Sequence, residues 1–384
     1  MSQIYKDRYG HAPFFNYEML GKKYNIPPDY LISAQVTKVA GDTGTFAITM
    51  VNTLDLDLEF KIMDLIANQS HKFAQFFYGY HDVPLTSPHY KGFIRDYNPQ
   101  FTSGGYMTFT MTGDMYQVYP EQECLSWEGD RISDILQDIA RKKKWILDEV
   151  PEKTAVLSDS NRIFQQNGVD IISFIKNSLL PKASVKDSPY TFISRSLSDG
   201  FHVKFQRDNK NKDTIAREYE FAMFSGNYGS VISFSPNYTG GKIASQFATA
   251  ANITGLDNTI SVYGADANYA DDKRIFHVPQ YGGEDAEFSQ VIDNMWYKRN
   301  VGAYPATLTI AGDPTIEPLQ YINVLPFRPD GKLHFSAGTY QVIKVTDNII
   351  SGFYTTELEL LRSDKYIPTE PSGRGIDSTQ NLPT

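Results

Sequence analysis

Apolar and polar residues alternate over much of this chain, and one version of the alternation appears near both ends. Close to the start it runs Gln35-Val36-Thr37-Lys38-Val39, then a turn-rich Ala40-Gly41-Asp42-Thr43-Gly44, then a long alternating run from Thr45 to Ile62. Close to the end it runs Gln341-Val342-Ile343-Lys344-Val345, then a short Thr346–Gly352 connection, then a strand from Phe353 to Leu361. A five-residue match means little by itself in a chain of 384 residues. It gains weight because both copies continue into a second strand with acids on alternate positions. In Asn52–Met63, Leu54, Leu56, Leu58, Phe60 and Ile62 fall on one side and Asp55, Asp57, Glu59 and Lys61 on the other. That is the period of a half-buried strand with a core face and a wet face. In the second copy the alternate acids are Glu357 and Glu359. Two related β units at opposite ends, with other material between them, point to an assembly part more than to an enzyme.

The remaining elements follow from the same kind of pattern. Residues 1–30 carry Pro13, Pro27 and Pro28 without a clear period and read as an extended arm. An aromatic-rich segment runs through Tyr78 and Tyr90. Gly92–Tyr97 and Tyr106–Thr112 then flank Ser103-Gly104-Gly105, as in a β-hairpin. From Asp130 to Lys144, the apolar residues Ile132, Ile135, Leu136 and Ile139 have helical spacing, and Lys142, Lys143 and Lys144 suit the negative end of the helix dipole. A second short helix is expected from Asp170, as N-cap, to Leu180, with Pro181 just past its end. Strands at Tyr190–Arg195 and Phe201–Phe205 flank the turn Ser198-Asp199-Gly200, and Asn209–Asp213 is a polar connector. Glu218–Phe224 and Val231–Phe234 read as paired strands, Phe288–Arg299 as a helix, and Ala306–Ile310, Leu319–Leu325, Thr339–Val345 and Phe353–Leu361 as strands.

The expected fold class is mainly β with α+β insertions: two homologous small antiparallel β-barrel domains and a middle α+β domain. Residues 1–118 hold the arm and the first barrel, and 119–210 the middle unit. Residues 211–236 and 301–362 hold a discontinuous second barrel, 237–300 an insertion, and 363–384 a flexible tail.

Composition narrows the function. Aromatic residues make up 14% of the chain, with 25 Tyr and 24 Phe, and such residues favour strands and interfaces. A net charge of −9 supplies no general basic footprint for gripping nucleic acid from outside. The single cysteine, Cys124, excludes an intrachain disulfide and fits assembly in a reducing compartment; it is expected to be a small buried or half-buried side chain. No signal-like core or membrane-spanning run is visible, so a soluble protein made in the cytoplasm is expected.

No catalytic or metal constellation emerges. H-E-x-x-H, C-x-x-C and G-x-S-x-G are absent. Gly240-Gly241-Lys242 lacks the first glycine of a phosphate loop and is followed by Ile243 where Ser or Thr is needed, so a surface turn explains it better. The seven histidines are scattered without ligand spacing, and His81-Asp82 reads as an exposed loop pair. No cofactor is implied. Asp55, Asp57, Glu59, Glu357 and Glu359 admit two readings. They are solvent-facing acids of antiparallel sheets, or they line a channel whose negative wall keeps a passing polyanion mobile. A metal site is disfavoured, because strand alternation spreads the oxygens along a face instead of wrapping them round an ion.

The order of elements resembles a known family. Gly312-Asp313-Pro314, the strand ending Ile322-Asn323-Val324, Ser336–Val342 and Gly352–Leu358 together resemble the closing barrel of phage baseplate hub proteins. Arg131–Leu136 with Ile139 and Trp145 resembles that family's first interior helix, and Gln165–Ile175 its second. This family includes the central hubs of contractile tails, the late control protein D group and the hub portion of type VI secretion spikes. The resemblance spans residues 30–362 and implies a homotrimeric ring of pseudo-sixfold symmetry in the virion tail baseplate. Such a ring joins the tail tube protein ring to a central spike protein, touches baseplate wedge proteins, and passes DNA or tape-measure protein without chemistry. It also implies that some alternate acids face the lumen. Two rival classes remain open: a cell-wall hydrolase using the cluster Glu284, Asp285 and Glu287, and a carbohydrate- or receptor-binding module using Tyr263, Tyr269 and Tyr281.

Overall fold

The computed structural model describes residues 13–19, 22–25, 31–51, 74–101, 107–116, 124–157, 163–183, 189–223, 229–237, 246–251, 259–263, 275–278, 304–350 and 352–363. The first strands are β1 (Pro13–Met19), β2 (Lys22–Asn25), β3 (Leu31–Val39), β4 (Thr45–Val51), β5 (Ala74–Tyr80), β6 (Tyr90–Phe101) and β7 (Met107–Asp114). A mixed section comes next: β8 (Cys124–Glu128), α1 (Ile132–Lys142), β9 (Ile146–Leu147), β10 (Ile163–Asn167), α2 (Ile171–Phe174), a π turn (Ile175–Leu179), α3 (Leu180–Ala183), β11 (Tyr190–Leu197) and β12 (Gly200–Arg207). The last strands are β13 (Ile215–Ala222), β14 (Val231–Pro236), β15 (Gln246–Ala251), β16 (Thr259–Tyr263), β17 (Ile275–Val278), β18 (Pro305–Ala311), β19 (Tyr321–Phe327), β20 (Gly338–Ile350) and β21 (Phe353–Arg362).

The fold is mainly β, as its alternation requires. Sixteen strands share one sheet, whose central path runs β14-β18-β21-β20-β3-β4-β7-β6 and continues into β11-β12-β9. The two repeated segments therefore lie in hydrogen-bonded neighbours: β3 and β20 pair antiparallel, with Thr37 opposite Thr346 and Gln35 opposite Asn348. Inward residues of these strands form two of three cores. One holds Val36, Phe46, Ile48, Phe76, Tyr78 and Met111 and takes in Ile349 and Tyr354 from β20 and β21. A second gathers Leu308, Val324, Val342, Val345 and Leu358. The third lies in the mixed section, where Ile132, Ile135, Leu136 and Ile139 of α1 meet Trp127, Phe174 and Phe205. The periodicity of α1 thus reports its buried face correctly. Its last turn carries Arg141 and Lys142, both paired with Asp138.

The hairpins at 92–112 and 190–205 form as the pattern indicates, with Asp96 opposite Thr112 and Phe192 opposite Phe205. Other expectations are corrected. The Thr346–Gly352 stretch is no loose connection: β20 runs on to Ile350, and Gly352, at φ +75°, makes the tight turn into β21. Beyond Val345 the pattern of Thr346, Asp347 and Asn348 looks turn-like, but β3 and β21 on either side supply the partners that keep it extended. The arm contains the β1–β2 hairpin; β1 pairs with β5 along its whole length, and Phe15 is buried in the first core.

The segments at 218–224 and 231–234 do not pair. β13 runs parallel to β19, and β14 antiparallel to β18. The sheet curls until these two edges face each other, with the Phe221 and Phe234 rings 6.0 Å apart, and among the described residues no ladder closes it into a barrel. Asp170 does cap the second helix, accepting from Ser173 N at 2.8 Å. Pro181 does not end it: the π turn precedes the proline, whose missing N–H cannot serve the carbonyl four residues back, and α3 carries on to Ala183. Cys124 is exposed, because β8 and β10 form a separate two-stranded ribbon on which it sits opposite Asn167.

Candidate functional site: a polar wall and a buried junction

Directly opposed residues in antiparallel strands lie on the same face, so the registers of the central path define one continuous surface. One row runs Ser233–Thr309–Glu357–Thr346–Thr37–Thr45–Asp114 across seven strands. The next runs Thr355–Asn348–Gln35–Ala47–Thr112–Asp96, and a third Phe353–Ile350–Ser33–Thr49–Thr110–Asn98. Side chains bond along these rows. Gln35 Nε2 donates to Asn348 Oδ1 at 2.9 Å, and the hydroxyls of Thr49 and Thr110 are 3.0 Å apart. β3, β4, β7 and β21 back this surface with core residues, which is why the polar set alternates so regularly there with aliphatic and aromatic positions.

The wall is hydroxyl- and amide-rich with few charges. Glu359 receives Lys344 Nζ at 2.6 Å, and Glu357 is flanked in register by Thr309 and Thr346. At the far side Arg95 bonds both Asp96 and Asp114 at 3.0 Å, and Thr112 donates to Asp96. The bond from Arg95 holds the Asp96 carboxyl below its usual range, whereas burial pushes Asp114 up. Four carboxylates against two cations leave this described face weakly acidic. Asp55, Asp57 and Glu59 lie outside the described residues, as do Tyr269, Tyr281, Glu284, Asp285 and Glu287; Tyr263 falls on β16, of which only the backbone is described.

Behind the wall, where its two halves join, sits a buried ionic cluster that the sequence pattern did not single out. Lys38 is 6% exposed and Asp347 fully buried. Lys38 Nζ lies 3.2 Å from Asp347 Oδ2 and donates to the Ile316 carbonyl at 2.8 Å. Tyr78 donates to Asp347 Oδ2 at 2.6 Å, and Tyr354 and Thr356 donate to Oδ1 at 2.9 and 2.7 Å. Burial, the largest single influence, disfavours the Lys38 ammonium, but the charge and hydrogen bond of Asp347 together with Tyr90 and Glu317 outweigh it, and the amine titrates above its ordinary value. Burial, then the Asp347 charge, pushes the Tyr78 and Tyr354 phenols upward. Little in the sequence signalled it, since Asp347 stands in a stretch, Val342–Ile350, that also carries Lys344, Thr346 and Asn348.

Among the described residues no group of three or more His, Cys, Asp or Glu is placed to hold a metal ion, and no helix is long and apolar enough to cross a membrane.

No family model matches the sequence, and no curated protein matches it. Solved structures do match in shape. A tail protein from Neisseria meningitidis MC58 superposes with a TM-score of 0.64 at 11% identity, covering 92% of this chain and 97% of that one. The 43 kDa tail protein of prophage MuSo2 from Shewanella oneidensis gives 0.59 at 11% identity, over 91% and 98% of the two chains. The E. coli c3393 protein, a component of the type VI secretion system, gives 0.53 at 10% identity, over 92% and 79%. The fold of this chain is therefore one shared with phage tail proteins and a component of the type VI secretion system, in agreement with the resemblance carried by its element order.

Proposed function

We propose that this chain is a structural virion protein, the central hub of a tail baseplate. Three copies form a ring that joins a tail tube ring to a central spike, with wedge proteins outside, and the ring lets DNA or tape-measure protein pass without chemistry. It is assembled in the host cytoplasm. The observation that carries this reading is the wall: eight neighbouring strands present one continuous, mostly polar face, interrupted at one end by Ile350 and Phe353, and its central strands are backed by core. With strands about 4.8 Å apart, eight of them supply about 38 Å of arc, and three copies about 115 Å. Bent into a cylinder, that is about 37 Å across between backbones; subtracting about 5 Å of side chain on each side leaves about 27 Å, room for a polymer to pass. Small hydroxyls and a slight negative charge suit such a passage, since like charge opposes adsorption of a polyanion and neutral hydroxyls offer no strong anchor. On this reading Glu357 and Glu359 face the lumen, and Asp55, Asp57 and Glu59 extend the same lining.

The test is solution mass by light scattering with negative-stain class averages. A trimer of about three times 43.4 kDa with a central hole is expected, either alone or on the cognate spike. A chain that stays monomeric even with its spike would overturn the ring, and clearing of peptidoglycan by the purified protein would replace the hub with a hydrolase.

A further inference from the structure

The two halves of the wall meet at a single strand pair, β3 against β20, and the outward residues of that pair carry little information about register. Thr37, Gln35 and Ser33 face Thr346, Asn348 and Ile350, with Gln35 bonded to Asn348; a two-residue slip would bring Thr37 to Lys344 or Gln35 to Ile350, leaving mostly uncharged groups opposed on this face. A slip by two preserves which face is buried, so core patterning alone does not forbid it in the way it forbids a slip by one. Each inward face, however, holds one charge. We propose that the buried Lys38–Asp347 pair is the register-setting contact that joins the two halves of the wall in phase.

The geometry excludes both slips. Lys38 sits opposite Val345, one diagonal step from Asp347 on the same face. Sliding β3 so that Thr37 faces Lys344 would put Lys38 and Asp347 four residues apart along the strand, about 13 Å, and strand both charges in the core. Sliding it so that Thr37 faces Asn348 would keep the two charges opposed but draw Lys38 about 7 Å along β20, off the Ile316 carbonyl. That carbonyl moves with β20 and β21, because its loop is tied to them: Leu319 N donates to Val342 O at 2.7 Å, and Asp313 N to Thr356 Oγ1 at 2.8 Å. Only the observed register satisfies the ammonium at both acceptors. A buried polar contact that specifies register at some cost in stability is the best-attested use of such pairs.

This proposal stands whether or not the chain forms a ring, because register is read on the isolated protein. In the full chain carrying Cys124→Ser, three cysteine pairs report the three registers: Thr37→Cys with Thr346→Cys for the observed one, and Thr37→Cys with Lys344→Cys or Asn348→Cys for the slips. Opposed strand positions lie within disulfide reach. In the parent only the 37/346 pair is expected to close under mild oxidation. Adding Lys38→Met and Asp347→Asn removes both charges while keeping an acceptor for the three hydroxyls. The 37/346 product is then expected to fall at least tenfold relative to the slipped products in a chain that stays folded by circular dichroism. If the double variant folds and still closes 37/346 alone, the pair does not set register. If it does not fold, the pair is a requirement for stability and the proposal is equally overturned.

Discussion

Replacing Asp347 with alanine is the sharpest energetic test of the junction. The substitution removes the acceptor of three hydroxyl hydrogen bonds and the counter-ion of an ammonium that is 6% exposed. Breaking a buried ion pair from one side costs about 3–5 kcal/mol, because the surviving charge has neither partner nor water. The Ile316 carbonyl still accepts from Lys38, which places the charge penalty near the low end. Orphaned hydroxyls add about 1 kcal/mol or more, since each forfeits its desolvation without return, though such losses are not additive in a shared network. The expected total is about 4 kcal/mol. In urea unfolding at pH 7, with a slope of about 3 kcal/mol per molar, the midpoint should fall by about 1.3 M. Adding Lys38→Met in the same background removes the stranded ammonium and should return about half of that loss. A midpoint shift under 0.3 M for Asp347→Ala, or no recovery in the double variant, would refute the account of Asp347 as a buried counter-ion.

Other consequences are as direct. The Lys38 amine and the Tyr78 and Tyr354 phenols titrate higher folded than unfolded, so their contribution is complete below the unfolded values near pH 10 and is lost as pH rises beyond them. Denaturant midpoints should therefore drop steeply above about pH 10, and Tyr354→Phe should flatten part of that slope. A Cβ on Gly312 would overlap the Tyr354 ring, which is held by its bond to Asp347 and cannot swing aside. Gly312→Ala should cost about 3 kcal/mol by thermal or urea unfolding. Asp170→Ala removes the acceptor for Ser173 N and should cost about 1 kcal/mol in the same assay. Glu357→Gln should leave stability within about 0.5 kcal/mol, since that side chain faces out from the wall; a larger loss would place it in the fold and not on a working surface.

Local pattern accounts for much of this molecule. The face of α1, the caps and hairpins near Asp170, Ser103 and Asp199, and most strand positions follow from spacing and turn chemistry, because these elements depend on neighbours only a few residues away. The shared polar wall was half legible: the alternation told which residues of each strand turn outward, not which strands would stand side by side. Pairings such as β13 with β19 and β3 with β20 join segments some hundred or three hundred residues apart, and no local preference encodes them. The repeat itself shows the limit most clearly. Lys38 and Lys344 occupy the same place in near-identical pentapeptides, yet one is buried against Asp347 and the other lies on the wall against Glu359. A register shift between Val342 and Lys344 inserts one residue into β20 and reverses the phase of everything after it. Composition and period made both segments strands; the bulge, set by how β20 must pair with β21 along its length and with β19 and β3 in turn, decided which lysine would enter the core.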